Sequence, residues 1–337
     1  MKQRFAFAVA VLVIAVFYSS TAHAVVCTPT GFFRDSINMT AALINPVGTV
    51  SGTVDGTGCN IVIYYSSGAG GTVKNANLFG ANYFGILVNG DAGAVNVDIL
   101  SSNIHDIGEV PHNGTQHGVA IYYRGFFDVS AATGKITGNQ ISAYQKGAIV
   151  ANGQGTQVNI TDNVTTGDGH VDFIAQNGIQ VGFGASASVM RNSVSGNSYK
   201  GFPGDGSASG GVLVVGGAGY GTCPDSNDCP YTVGVMVNGN TLADNDVGIY
   251  FSNLEADFSA PTDATNNKAV NNKITDDQCY NSSYQTGISD VGNNDKMINN
   301  KISGPGYIGC YTFYNPSGAL VDADTSFTNR PKVHATK

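Results

Sequence analysis

Apolar positions along this chain recur with a period of two, in short runs set off by glycine. Gly85-Ile86-Leu87-Val88, Gly118-Val119-Ala120-Ile121 and Gly147-Ala148-Ile149-Val150 share one pattern of glycine, apolar, variable, apolar. It returns at Gly178-Ile179-Gln180-Val181, Gly211-Val212-Leu213-Val214 and Gly248-Ile249-Tyr250-Phe251. Weaker copies stand at Gly287-Ile288-Ser289-Asp290 and Gly309-Cys310-Tyr311-Thr312. Such alternation predicts strands that turn one face to a common interior. A second series precedes these strands: Asn139-Gln140-Ile141, Asn192-Ser193-Val194, Asn240-Thr241-Leu242, Asn272-Lys273-Ile274 and Asn300-Lys301-Ile302, with Asn163-Val164 a looser match. Two motifs alternating in fixed order predict two strands per coil of a stacked solenoid. Each coil exposes unpaired backbone that only the next coil can satisfy. Asparagines recurring at one turn are expected to stack as a ladder, each amide bonding to the next.

The N-x-I and G-I-x-V elements cover most of Val47 to Phe313. They resemble those of the right-handed parallel β-helix repeat proteins, the pectate-lyase-like superfamily shape shared by pectate lyases and alginate epimerases. The expected fold is therefore all-β, a right-handed parallel β-helix (solenoid) of about nine coils. A short amphipathic helix over Phe33 to Ile44, stopped by Pro46, is expected to cap the first coil. The organisation read from the sequence is a signal peptide over 1–24, an N-terminal cap over 25–46, the β-helix over 47–315 and a C-terminal tail over 316–337.

Export is read from the first residues. Lys2 and Arg4 precede the apolar run from Phe5 to Tyr18, and Ala22-His23-Ala24 supplies an A-x-A cleavage site. No later stretch is apolar enough to span a membrane, so the expected location is secreted, extracellular or periplasmic. All six cysteines follow that site, which suggests disulfides. The preferred pairs are Cys27–Cys59, Cys223–Cys229 and Cys279–Cys310. The formal charge of −8 becomes −10 once Lys2 and Arg4 are removed. That sign argues against nucleic acid as a partner. The chain has no Trp, so any aromatic platform for a sugar must come from Tyr or Phe.

Candidate chemistry gathers in one region. His105, His112 and His117 fall within one coil with Asp106 and Glu109, followed by Tyr122, Tyr123 and Arg124. His170 lies further on between Asp168 and Asp172. Before the strand glycines stand Gln116-His117, Gln145-Lys146 and Gln176-Asn177, which predicts a column of His117, Lys146 and Asn177 beside a column of three glutamines. A polysaccharide lyase or epimerase needs a base and a cation for the substrate carboxylate. His112, His117 or Tyr122 could be the base, Arg124 and Lys146 could hold the carboxylate, and His170 completes the candidate set. Gln116, Gln145, Gln176, Asn177, Asp106 and Glu109 are candidate binding residues. His105, Asp106, Glu109 and His112 could alternatively bind a metal. Val110-Pro111-His112-Asn113 keeps the Pro and His of the epimerase signature Asp-Pro-His-Glu and replaces both acids. The cofactor is left open; Asp225-Ser226-Asn227-Asp228 offers oxygens for calcium without EF-hand spacing.

One further row is expected to face outward: Leu87, Ala120, Ile149, Gln180, Leu213, Tyr250, Ser289 and Tyr311. An exterior that apolar needs cover, by loops or by a partner. Tyr250, Tyr311 and Phe313 could stack on sugar rings. Two readings follow: a protein that acts on or binds polysaccharide or a cell-surface glycan, and a non-enzymatic surface, matrix or adhesion protein.

Overall fold

The computed structural model describes residues 26–127, 129–202, 205–224, 229–281, 284–308, 320–321 and 326–327. The expected signal peptide at 1–24, Asp225 to Asp228, the repeat at Gly309 to Thr312, Phe313 and most of the tail lie outside these residues. The described chain is a parallel β-helix built on two long sheets. The first has ten strands, stacked in chain order: Thr28–Arg34, Ile37–Ile44, Ile61–Tyr65, Phe84–Asn89, Val119–Arg124, Gly147–Asn152, Asn177–Gly182, Gly210–Gly216, Val247–Asn253 and Thr286–Asp290. Its first pair is antiparallel and every later pair is parallel.

The second sheet corrects the strand count. Each N-x-I strand is preceded by another, as Ala131–Thr137 precedes Gln140–Ser142 and Thr156–Thr161 precedes Val164–Val171. A full coil thus contributes three strands. The extra strand alternates as the others do: Val158 and Ile160 are buried while Gln157 and Asn159 are exposed.

The asparagine ladder sits between these two strands. Asn139, Asn163, Asn192, Asn240, Asn272 and Asn300 are all buried. The backbone N–H and Nδ2 of Asn163 donate to Asn192 Oδ1 at 3.0 Å each. The same two bonds join Asn139 to Asn163, Asn192 to Asn240, Asn240 to Asn272 and Asn272 to Asn300. Asn163 is a full member. The left-handed residue is the one before each ladder asparagine: Asp162, Arg191, Asn271 and Asn299 have φ of 58°, 54°, 54° and 51°.

The interior is one continuous apolar stack. Ile63, Ile86, Ile121, Ile149, Ile179, Val212, Ile249 and Ile288 lie one above another, all buried. The strand glycine faces the apolar residue of the N-x-I motif across this interior. A Cβ on Gly248 would lie 2.4 Å from Ile274 Cγ2, and one on Gly287 would lie 2.5 Å from Ile302 Cγ2. The two sequence motifs therefore interlock sterically.

Register corrects two expectations. Phe84, Val119, Gly147, Asn177 and Gly210 stack, so Gly147 is one position ahead of Gly85, Gly178 and Gly211. Ala120 and Ala148 occupy the strand-glycine level instead. The outward row is consequently Leu87, Tyr122, Val150, Gln180, Leu213, Tyr250 and Ser289, with Ile149 in the core. His117, Lys146 and Asn177 do not form one column, because Asn177 pairs with Gly147. A one-residue shift exchanges the two faces of a strand, and glycine alone does not fix the register.

The expected N-terminal helix is a β-hairpin of Thr28–Arg34 and Ile37–Ile44. Ile37, Met39, Ala41 and Leu43 alternate as a strand does, and Ala41 and Leu43 pair with Ile61 and Ile63. Pairing satisfies the open backbone edge of the first coil, which a helix could only shield. The hairpin also folds over the outer face of the first sheet. Phe32 stacks on Tyr64 at 6.3 Å, Arg124 lies 4.9 Å over Phe32, and Arg34 lies 5.5 Å over Phe84. This covers a second apolar cluster of Ile61, Tyr64, Phe84, Leu87 and Tyr122.

Cys27–Cys59 and Cys223–Cys229 are disulfides. Cys279 is also disulfide-bonded; its expected partner, Cys310, lies outside the described residues. Among the described residues no helix is long and apolar enough to cross a membrane.

Candidate functional site

The turns that lead into the first sheet carry His112, His117 and the buried Gln145 and Gln176. The longest near the middle, residues 106–118, is wrapped around one buried amide, Gln145. Gln145 Oε1 accepts from Glu109 N at 3.0 Å and Asn113 N at 3.3 Å. Its Nε2 donates to Thr115 O at 2.8 Å and Thr115 Oγ1 at 2.6 Å. A side-chain amide thus supplies the partners that buried loop backbone requires. The chain passes close over it at Gly108, where a Cβ would lie 2.6 Å from Gln145 Cβ and 3.1 Å from the His112 ring.

Gln176 serves the next coil in the same way, at the irregular step within strand Val164–Val171. Its Oε1 accepts from Asp168 N at 2.9 Å, and its Nε2 donates to Tyr144 O at 2.6 Å and Asp168 Oδ2 at 3.1 Å. The two anchored turns meet in the contact of His112 Nδ1 with Asp168 Oδ2 at 2.6 Å. Both side chains are partly exposed, at 19% and 24%. No hydrogen bond among the described residues engages His112 Nε2. A carboxylate on Nδ1 favours the tautomer that carries its proton there and leaves the Nε2 lone pair outward.

The other candidates are placed differently. His117 is buried, with Nε2 2.7 Å from Glu109 Oε1 and its ring stacked 3.9 Å from Tyr83. Lys146 Nζ donates to Ala175 O at 2.8 Å, and burial pushes its ammonium down to about 8. Gln116 is exposed and its carbonyl accepts from Arg34. Asn177 Oδ1 accepts from Gly210 N, a bond between coils. Tyr122 is buried under the hairpin against Phe84, 5.5 Å between ring centres. Arg124 ends the strand that His117 precedes, about 17 Å along it; it pairs with Asp91 at 2.6 Å between Phe32 and Phe126. His105 bonds to Asp106 at 2.6 Å and to Asn77 at 3.2 Å. The proposed metal quartet is thus divided, with His105 on Asp106, Glu109 on His117 and His112 on Asp168. Among the described residues no group of three or more potential ligands forms.

His170 lies two residues after Asp168 on the same exposed face of its strand. It stacks on Tyr280 at 3.9 Å and meets Gln278 Nε2 at 2.9 Å. In the sequence Asp168 stands out only as a neighbour of His170, and Gln278 and Tyr280 do not stand out at all. Their roles arise from contacts between turns 56 and 108 residues apart, for which no local motif exists. Beyond the hairpin, the outer face of the first sheet carries Gln180, Leu213 and Tyr250, each partly exposed. Tyr220 and Tyr284 flank this strip, pinned through their hydroxyls to Ser252 and Ser289 at 2.5 and 2.7 Å. Burial pushes the Tyr220 hydroxyl up to about 12.

No family model matches the chain, and no curated protein sequence matches it. Among solved structures it is similar to the Dettilon tailspike protein, at 14% identity and a TM-score of 0.35, over 83% of this chain and 60% of that one. The chain therefore spans less than two thirds of that protein's length.

Proposed function

We propose that this is an exported β-helix protein that acts on or binds polysaccharide, with His112 as its proton-accepting group. The observation that carries the reading is the 2.6 Å contact of His112 Nδ1 with Asp168, which leaves the Nε2 lone pair outward on a partly exposed surface. Asp168 orients the imidazole and stabilises the imidazolium that forms when Nε2 takes a proton from a substrate carbon, hydroxyl or water. Gln176 holds Asp168 from beneath, and Gln145 holds the turn that carries His112. His170 and Tyr280 offer a ring face beside this pair for a sugar. The winding is read as right-handed, in the pectate-lyase-like shape with about nine coils, since crossovers between parallel strands nearly always take that hand. The signal segment, the disulfides and the low charge suit an extracellular or periplasmic place.

A second reading, a non-enzymatic surface, matrix or adhesion protein, has its own support. Arg124 and Lys146 are both engaged within the protein, and Tyr83 covers His117. A polysaccharide screen that follows unsaturated ends by absorbance and reducing ends by colour separates the two. Activity that disappears in His112→Ala supports the first reading. No activity on any polymer, with binding unchanged in that variant, supports the second.

A further inference from the structure

Polyuronates and uncharged glycans ask different things of a protein surface. A polyuronate brings a carboxylate on every sugar, and each one that loses water needs a cation or several donors in exchange. The turns around His112 and His170 supply the opposite charge. Asp106, Glu109, Asp168, Asp172 and Asp205 stand there against Lys146, Lys200 and Arg34, the last held between the Gln116 carbonyl and Asp35. Lys146 spends its ammonium on the Ala175 carbonyl. Lys200 is exposed and follows Tyr199, whose hydroxyl lies near the charges of Asp205 and Asp172. Arg124 is at the far edge of the sheet, committed to Asp91. The uncharged groups on the same edge are the ring faces of Tyr280 and His170, the Gln278 amide and the Tyr199 hydroxyl. Those groups suit stacking and hydrogen bonding to neutral hydroxyls.

We infer that the glycan this edge accepts is uncharged, and that the acidic turns exclude polyuronates. This rests on the reading of the protein as a glycan-acting or glycan-binding one, and it narrows that reading to a substrate class. Exclusion by charge weakens with salt, because repulsion between exposed groups is screened.

Affinity electrophoresis of the full chain tests it, in gels cast with a β-glucan, a galactomannan, a xylan, alginate, polygalacturonate or a polymer of free amino sugars. The expected result is retardation by at least one neutral polymer, unchanged between low and high salt, with at least tenfold weaker retardation by both polyuronates. The double variant Asp172→Asn, Asp205→Asn should gain polyuronate retardation at low salt and keep the neutral response, with far-UV circular dichroism confirming its fold. Stronger retardation by a polyuronate or by the amino-sugar polymer overturns the inference and leaves the glycan reading standing. A double variant with no gain overturns the role of the acidic turns. No retardation by any polymer overturns the inference and the broader reading together.

Discussion

Each ladder asparagine has three tasks; Ser102, which stands at the start of the column, donates its N–H to Asn139 Oδ1 and accepts from Ala76 N, but has no amide to donate onward. In Asn192, Oδ1 accepts both donors of Asn163, the N–H donates to Asn240, and Nδ2 reaches Asn240 and Ile160 O. Asn192→Ala leaves the buried N–H of Asn163 without an acceptor and its Nδ2 with Ile136 O alone, each lost bond costing about 1–3 kcal/mol. We expect a loss of ~3 kcal/mol, read as a lower urea midpoint. A second residue-scale test concerns the glycine–isoleucine contact. Gly287→Ala would press into Ile302 Cγ2, Cδ1 and Cγ1, an overpacking worth about 1–3 kcal/mol. Ile302→Ala added to it should recover part of that loss, so a double-mutant cycle with no coupling would refute the steric account. The ladder was legible in the sequence because it repeats. The Asp168–His112 contact was not, because it joins two irregular turns once only.

At the scale of elements, the hairpin is the least expected part and the most informative. Its sequence has apolar residues at both helical and strand spacings, and the open edge of the first coil selects the strand. The need for cover over the outer face was readable from the apolar row; which segment supplies it was not, since Phe32 and Arg124 are far apart in sequence. Phe32→Ala removes a ring that rests on Tyr64 and carries Arg124. Hydrogen exchange at Thr28–Arg34 should rise strongly in this variant, while amides of Val247–Asn253 keep their protection. Equal acceleration in both segments would mean that the hairpin is integral to the whole stack. The missed third strand per coil has a plainer cause. That strand shares no recurring glycine or asparagine from coil to coil: Thr156–Thr161 alternates over six residues but no repeated motif marks it, and Met236–Asn238 is only three residues long.

For the molecule as a whole, the two halves differ in electrostatic character. The later coils bury carboxyl groups: Asp246 is pushed up to about 6 and Asp276 to about 7, in both cases first by burial. Asp246 gathers Ser198, Tyr199, Ser209 and Asn281 from three turns. Asp276 accepts from Gln278 N and Gln285 Nε2, with Asp244 and Asp246 as like-charged neighbours. An unfolded Asp titrates near about 4, so the folded state binds these protons more tightly. Their contribution is complete below that value and is lost as pH rises through about 6 to 7. The denaturation midpoint should therefore fall between about pH 5 and pH 8, and Asp276→Asn should flatten that fall. A midpoint rising with pH would contradict it.

The uniform ladder also bears on how such a molecule changes length. Between Asn139 and Asn300 the donors of any coil fit the acceptor of any other, since Asn139, Asn192 and Asn272 present identical groups to their successors. Excising one coil and joining its neighbours would place Asn192 on Asn272 with the same bonds. A gene for this chain can therefore lose or duplicate a coil as one heritable module, shortening or extending the surface by one strand spacing of about 4.8 Å. The turns that carry His112 and Asp168 belong to different modules, so a duplication or loss between them would separate the pair while sparing the scaffold.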